Sequence, residues 1–185
     1  MSRIDGAIDV NVPVRTAYNQ WTQFEEFPRF MEGVKQVTQL GDAKLQWTAE
    51  IAGQTRTWMT RIIEQEPDQR VSWESTEGAR NAGSVQFHPS GDGTLVTLSL
   101  SVEPGGPVEA AGDALGFVQR RARGDLERFK SFIEARAQET GGWRGEIARG
   151  AVVRDDAGSS AHGQAPDGDR VSDGDAVEAT GRRWG

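Results

Sequence analysis

The chain has 185 residues, only 36% of them apolar, a net charge of −7 and no cysteine. The acidic balance argues against a nucleic-acid partner, which would need a basic field to displace counterions. The missing cysteines remove disulfides, thiolate nucleophiles and Cys-ligated metals.

No run approaches the ~18 apolar residues of a membrane span. Met1 to Gly6 carries an acid early and no apolar core of a signal peptide. A cytoplasmic protein without stable membrane insertion is therefore expected. The apolar residues are concentrated before Arg136. From Gly141 onward there is no Leu, Ile147 is the single Ile, and Trp143 and Trp184 are the only aromatics.

In chain order, Ile8, Val10 and Val12 alternate with Asp9 and Asn11 as in a half-buried strand. Pro13 opens a short helix with Ala17, Tyr18 and Trp21 on its apolar side. A second short helix is predicted from Phe24 to Phe30, limited by Pro28. From Val34 to Val102 the pattern is mostly of period two. The pieces around Val37, Trp47, Trp58, Val71, Val85 and Leu98 are separated by turn signals such as Gly53, Pro67-Asp68 and Gly91-Asp92-Gly93. Consecutive strands of this kind form an antiparallel sheet with one apolar face. Pro104-Gly-Gly-Pro107 ends the sheet.

A long amphipathic helix follows, with Ala111, Leu115, Val118, Ala122, Leu126, Phe129 and Ile133 in one stripe. So long a stripe requires a wide partner, and the sheet is the candidate. From Gly141 the chain is rich in Gly, Asp and Ala without periodicity, which predicts a disordered tail.

The residues carry little reactive chemistry. His88 and His162 cannot assemble a metal site, no Gly-x-Ser-x-Gly elbow exists, and no Gly-rich loop cradles a phosphate. Arg120, Arg121 and Arg123 read as a solvated helix face with Asp125 and Glu127 as partners. Neither metal nor cofactor is called for. Trp47, Trp58, Trp73 and Phe87 fall on the inward parity of their strands, opposite Leu115 and Phe117 of the helix. Rings so placed are core, or they line an apolar pocket with a few polar groups. Arg56, Thr60 and Ser75 share that parity, and Tyr18 is placed to reach the pocket mouth.

The order of strand, two short helices, six strands and long C-terminal helix is that of the helix-grip fold, an α+β architecture. Val10-Asn-Val-Pro-Val-Arg-Thr-Ala-Tyr-Asn-Gln-Trp21, Phe24-Glu-Glu-Phe-Pro-Arg-Phe-Met31 and Arg61-Ile-Ile-Glu-Gln-Glu-Pro-Asp-Gln-Arg-Val-Ser-Trp73 carry a resemblance. So do Asn81-Ala-Gly-Ser-Val-Gln-Phe87, Gly112-Asp-Ala-Leu-Gly116 and Asp125-Leu-Glu-Arg-Phe-Lys130. The chain resembles the polyketide cyclase/dehydrase-like branch of the START, or SRPBCC, superfamily. The likeness divides it into a helix-grip domain over 1–138 and a disordered tail over 139–185.

The resemblance implies a hydrophobic ligand (lipid, quinone or polyketide-like) held between sheet and helix. The lining expected for it is Trp47, Trp58, Thr60, Ile62, Trp73, Phe87, Leu98, Leu115 and Phe117. A polyketide aromatase/cyclase is the alternative, with Arg56, Tyr18 and Thr60 as the nearest equivalents of that class's working groups. A stress or interaction protein, recruiting a protein partner through its tail, is the third reading.

Overall fold

A computed structural model describes residues 2–51, 53–103 and 114–156. Strand β1 (Ser2–Val10) leads through Pro13 into helix α1 (Val14–Trp21) and a 3-10 helix, Phe24–Arg29. Six strands follow: β2 (Val34–Gln39), β3 (Lys44–Ile51), β4 (Gln54–Glu66), β5 (Arg70–Glu77), β6 (Asn81–Ser90) and β7 (Gly93–Val102). Helix α2 spans Ala114–Arg136. The strands pair antiparallel in the order β1-β7-β6-β5-β4-β3-β2, with α2 against the sheet. This is the expected helix-grip. The Pro104–Pro107 connection and Ala111 of the apolar stripe lie outside the described residues.

Alternation decides which side chains face the helix. Leu45, Ile62, Val71, Val85, Phe87 and Val96 are buried from the sheet, and Ala122, Leu126, Phe129 and Ile133 from α2. Trp21 joins the two layers, edge-on to both Phe87 and Phe129. Phe24, Phe27 and Phe30, three residues apart, recur on one face of the 3-10 helix, where i and i+3 side chains eclipse. All three are buried.

The expected tail from 139 is corrected by the structure up to Asp156. Residues Glu146–Ala148 and Ala151–Arg154 form a hairpin, β8 and β9. Strand β8 pairs with β4 at Glu64 and Gln65. It takes the edge of β4 that β3 leaves free beyond Arg61. Ile147, alone in an apolar-poor stretch, is fully buried. A buried isoleucine and a free strand edge help to order a segment that composition alone marks as disordered. The recruiting role foreseen for the tail now concerns residues 157–185, which lie outside the described residues.

Polar side chains hold the approach to this hairpin. Asn19 donates to Glu139, Gln20 Nε2 donates to Thr140 Oγ1, and the Thr140 N–H donates back to Gln20 Oε1. The Trp143 N–H donates to Thr22 Oγ1 at 2.9 Å. Arg144 donates to both carboxylate oxygens of Asp68, at 2.8 and 2.7 Å, and its guanidinium lies 5.7 Å from the Tyr18 ring centre. Asn19, Gln20 and Thr22 are buried polar residues of α1 and its end. Without this segment they would lose these partners.

Candidate functional site

Between the sheet and α2 lies a cavity of about 380 Å³. Its walls are Leu45, Trp47 and Ile51 of β3, Trp58 and Ile62 of β4, Val71 and Trp73 of β5, and Leu98 and Leu100 of β7. Val118, Ala122 and Leu126 of α2 form the roof, and Trp21, Phe24 and Phe27 close the inner end. At the mouth the first turn of α2 presents Leu115 and Phe117, 45% and 36% exposed. The volume falls within the range of about 300–1,000 Å³ typical of small-molecule sites.

Local geometry explains the aromatic walls. Trp47 and Trp58 are register partners on β3 and β4, and their rings stack 5.9 Å apart with planes 7° from parallel. The Trp47 indole N–H donates to Thr60 Oγ1 at 2.9 Å, which fixes the ring. Trp73 pairs with Gly83 across β5 and β6, and a Cβ at Gly83 would come within 2.5 Å of that indole. Glycine there lets the indole lie flat over β6. Its N–H donates to Asn81 Oδ1 at 3.3 Å.

Of the side chains singled out from the sequence, Trp47, Trp58, Ile62, Trp73, Leu98, Leu115, Phe117 and Arg56 meet at the cavity. Four others lie away from it, one of them Ser75, whose hydroxyl accepts from the Asn81 N–H at 3.0 Å. Thr60 is buried, with its hydroxyl engaged by Trp47. Phe87 packs edge-to-face on Tyr18 at 5.6 Å, in the filled core beyond Trp21. Tyr18 is fully buried there and does not reach the mouth. Burial pushes its hydroxyl up from the ordinary 10.0 to about 12. Parity correctly turned Thr60 and Phe87 inward, but α1 and the rings around it fill that end of the hollow.

The structure adds residues that parity did not single out. Met31 and Val34, beside the 3-10 helix, line the cavity, as do Arg80 and Glu103 at the strand ends. Arg121 and Asp125 line it from α2. Asp125 fastens α2 to the chain after the 3-10 helix. It accepts from the Glu32 N–H at 2.9 Å and from Arg128, which in turn donates to the Phe30 carbonyl. Desolvation raises the Asp125 carboxyl above its ordinary value despite these contacts. The spacing of Phe117, Arg121 and Asp125 at steps of four was the available signal for one shared face.

Chemically the lining is sparse. Among the described residues it holds no histidine and no tyrosine, and Ser2 is the sole hydroxyl. His88 is on an exposed strand end. Among the described residues no three His, Asp or Glu side chains converge as metal ligands. No helix among them is long and apolar enough to cross a membrane.

Fold and cavity together define a helix-grip protein with an apolar site open at one end. Residues 10–130 match the family described as polyketide cyclase / dehydrase and lipid transport, and the chain belongs to that family. Membership joins it to hydrophobic-ligand binders and polyketide cyclases without naming a substrate. It is 50% identical over 149 residues to the 17.2 kDa protein of the melC2-rnhH intergenic region of Streptomyces lincolnensis, covering 80% of this chain and 99% of that one.

Among solved structures, the Zhui aromatase/cyclase of Streptomyces sp. R1128 superposes with a TM-score of 0.62 at 15% identity, over 76% of this chain and 98% of that one. A START superfamily protein of Mycobacterium smegmatis gives a TM-score of 0.56 at 18% identity, over 73% and 96%. These two likenesses are of fold. The first match is informative in its length: 149 residues do not fit within 1–138, so the shared unit runs into the C-terminal hairpin.

Proposed function

We propose that the protein binds a hydrophobic small molecule in the cavity between sheet and α2, as a carrier or receptor more than as a catalyst. The observation that carries this reading is an aromatic-walled hollow of about 380 Å³ whose polar groups form no nucleophile–base pair. Family membership supports it, since lipid transport is one of the two activities in the family's description. A polyketide aromatase/cyclase is the second reading, favoured by Arg56 at the cavity and by the family's other named activity. Of the three groups that reading relied on, Tyr18 and Thr60 are engaged elsewhere in the core, so Arg56 alone remains for it.

Titration with the hydrophobic fluorophore N-phenyl-1-naphthylamine tests the proposal. The wild-type chain is expected to take up one molecule with enhanced emission. Ala122→Phe, which projects a ring from the roof into the hollow, is expected to abolish uptake while the protein still melts cooperatively. Absence of saturable uptake by the wild type, or equal uptake by the filled variant, would contradict it.

A further inference from the structure

Two arginines line the cavity without forming a described ion pair, Arg56 and Arg121, and Arg121 senses Asp125, one turn along α2, only as a coulombic neighbour. Arg121 leaves α2 and donates Nη1 to the Glu50 carbonyl at 3.3 Å, near the end of β3. Gly33 makes room for this reach: it hydrogen-bonds the Glu50 N–H through its carbonyl, and a Cβ on it would collide with the Arg121 guanidinium. Arg56 is on β4, register partner of Ala49, the residue beside Glu50. Its one described contact is a long one, 3.4 Å, to the Gln54 amide. Both guanidinium-bearing side chains line the same cavity, Arg56 from the sheet and Arg121 from the helix layer.

The nearby acids are already engaged. Glu50 pairs with Lys35, Glu103 with Arg80, and Asp125 with Arg128. Among the described residues, this leaves Arg56 and Arg121 lining an apolar hollow without an ion-pair partner, on a protein whose net charge is −7. A guanidinium is permanently charged and matches a carboxylate with paired N–H donors. Phe117, with Arg121 over its ring at 5.5 Å, holds that charge at the boundary between hollow and solvent.

Resting on the binding function proposed above, we infer that the ligand class is a hydrophobic carboxylic acid. Its apolar chain or ring lies among Trp47, Trp58 and Trp73, and its carboxylate is held at the rim by Arg56 and Arg121.

Dodecanoate and dodecanol, equal in chain length and different in charge, test this by displacement of the same fluorophore. The wild type is expected to bind the acid about tenfold more tightly, a charge-assisted contact discounted for its half-exposed position. Arg56→Gln with Arg121→Gln is expected to erase that preference by weakening dodecanoate to the level of dodecanol, and a cooperative melt shows that the double variant is folded. Each single variant is expected to lose part of the preference. Dodecyl phosphate serves as a second anion: a preference for it over dodecanoate would replace the carboxylate with a phosphate monoester and overturn the assignment. Equal affinity for acid and alcohol in the wild type, or a preference that survives in the double variant, would also overturn it. Binding of neither compound would remove the carrier reading together with this inference.

Discussion

The two ends of the sheet–helix sandwich are built from the same alternating pattern and finish in opposite states. At one end Tyr18, Phe87, Val96 and Ile147 pack to complete burial or nearly so, Ile147 coming from β8 and Arg144 lying over the Tyr18 ring. At the other, Trp47, Trp58, Trp73 and Leu98 face a hollow, and Leu115 and Phe117 remain exposed at its lip. Inward-facing side chains do not distinguish core from pocket, because both demand apolar residues on the same parity. What distinguishes them is whether other elements fill the space. Helix α1, the 3-10 helix and the C-terminal hairpin fill one end and leave the other open.

The largest effect is expected from opening the closed end. A chain ending at Gln138 loses the burial of Ile147 and the hydrogen bonds that Asn19, Gln20, Thr22 and Asp68 make to the segment. At about 1.5–3 kcal/mol for a buried aliphatic side chain and about 0.5–1.5 kcal/mol for each hydrogen bond lost, the loss should be at least ~4 kcal/mol. A melting curve should show it as a fall of more than ~8 °C. Unchanged stability would mean that the hairpin is an ornament. Ile147→Ala alone should cost about 2–5 kcal/mol in denaturant unfolding, the range for a truncation in a filled core.

Next in size is the pH response of Tyr18, the sole tyrosine. Its folded pKa, about 12, is above the ordinary 10.0 because burial disfavours the phenolate. The associated stability is therefore fully present below pH 10 and is lost as pH rises from 10 through 12, by about 3 kcal/mol. Ultraviolet titration at the phenolate band should show no ionisation until near pH 12 or until the protein unfolds. A midpoint near 10 in the folded chain would place Tyr18 in solvent and undo the closed end.

The smallest stability effect belongs to the open end. Leu98→Ala in the cavity wall should cost less than ~1.5 kcal/mol, well under Ile147→Ala, because one side of Leu98 already lacks packing partners. The same substitution should alter fluorophore affinity, which Ile147→Ala should leave alone. Equal costs for the two would erase the difference between the ends.

Much of the fold was legible because period-two and helical spacing report directly on which face is buried. Val96 to Val102 and Leu115 to Ile133 carried that signal plainly. The C-terminal hairpin was not legible: its order comes from a free edge on β4 and from the Arg144–Asp68 pair, both long-range features. Most of the expected lining was brought together, yet Thr60 and Phe87 were misplaced by a rule that gives direction without depth. Arg121 was read as a solvated charge, since nothing local reveals that Gly33 leaves room for its guanidinium.

The central claim is that the open end holds a hydrophobic molecule. Native mass spectrometry of the purified wild-type chain beside Ala122→Phe, with solvent extraction of anything retained, tests it most directly. A one-to-one adduct of an apolar compound on the wild type, absent from the filled variant, is the predicted result. Bare chain in both, even after incubation with dodecanoate and dodecanol, would contradict the claim.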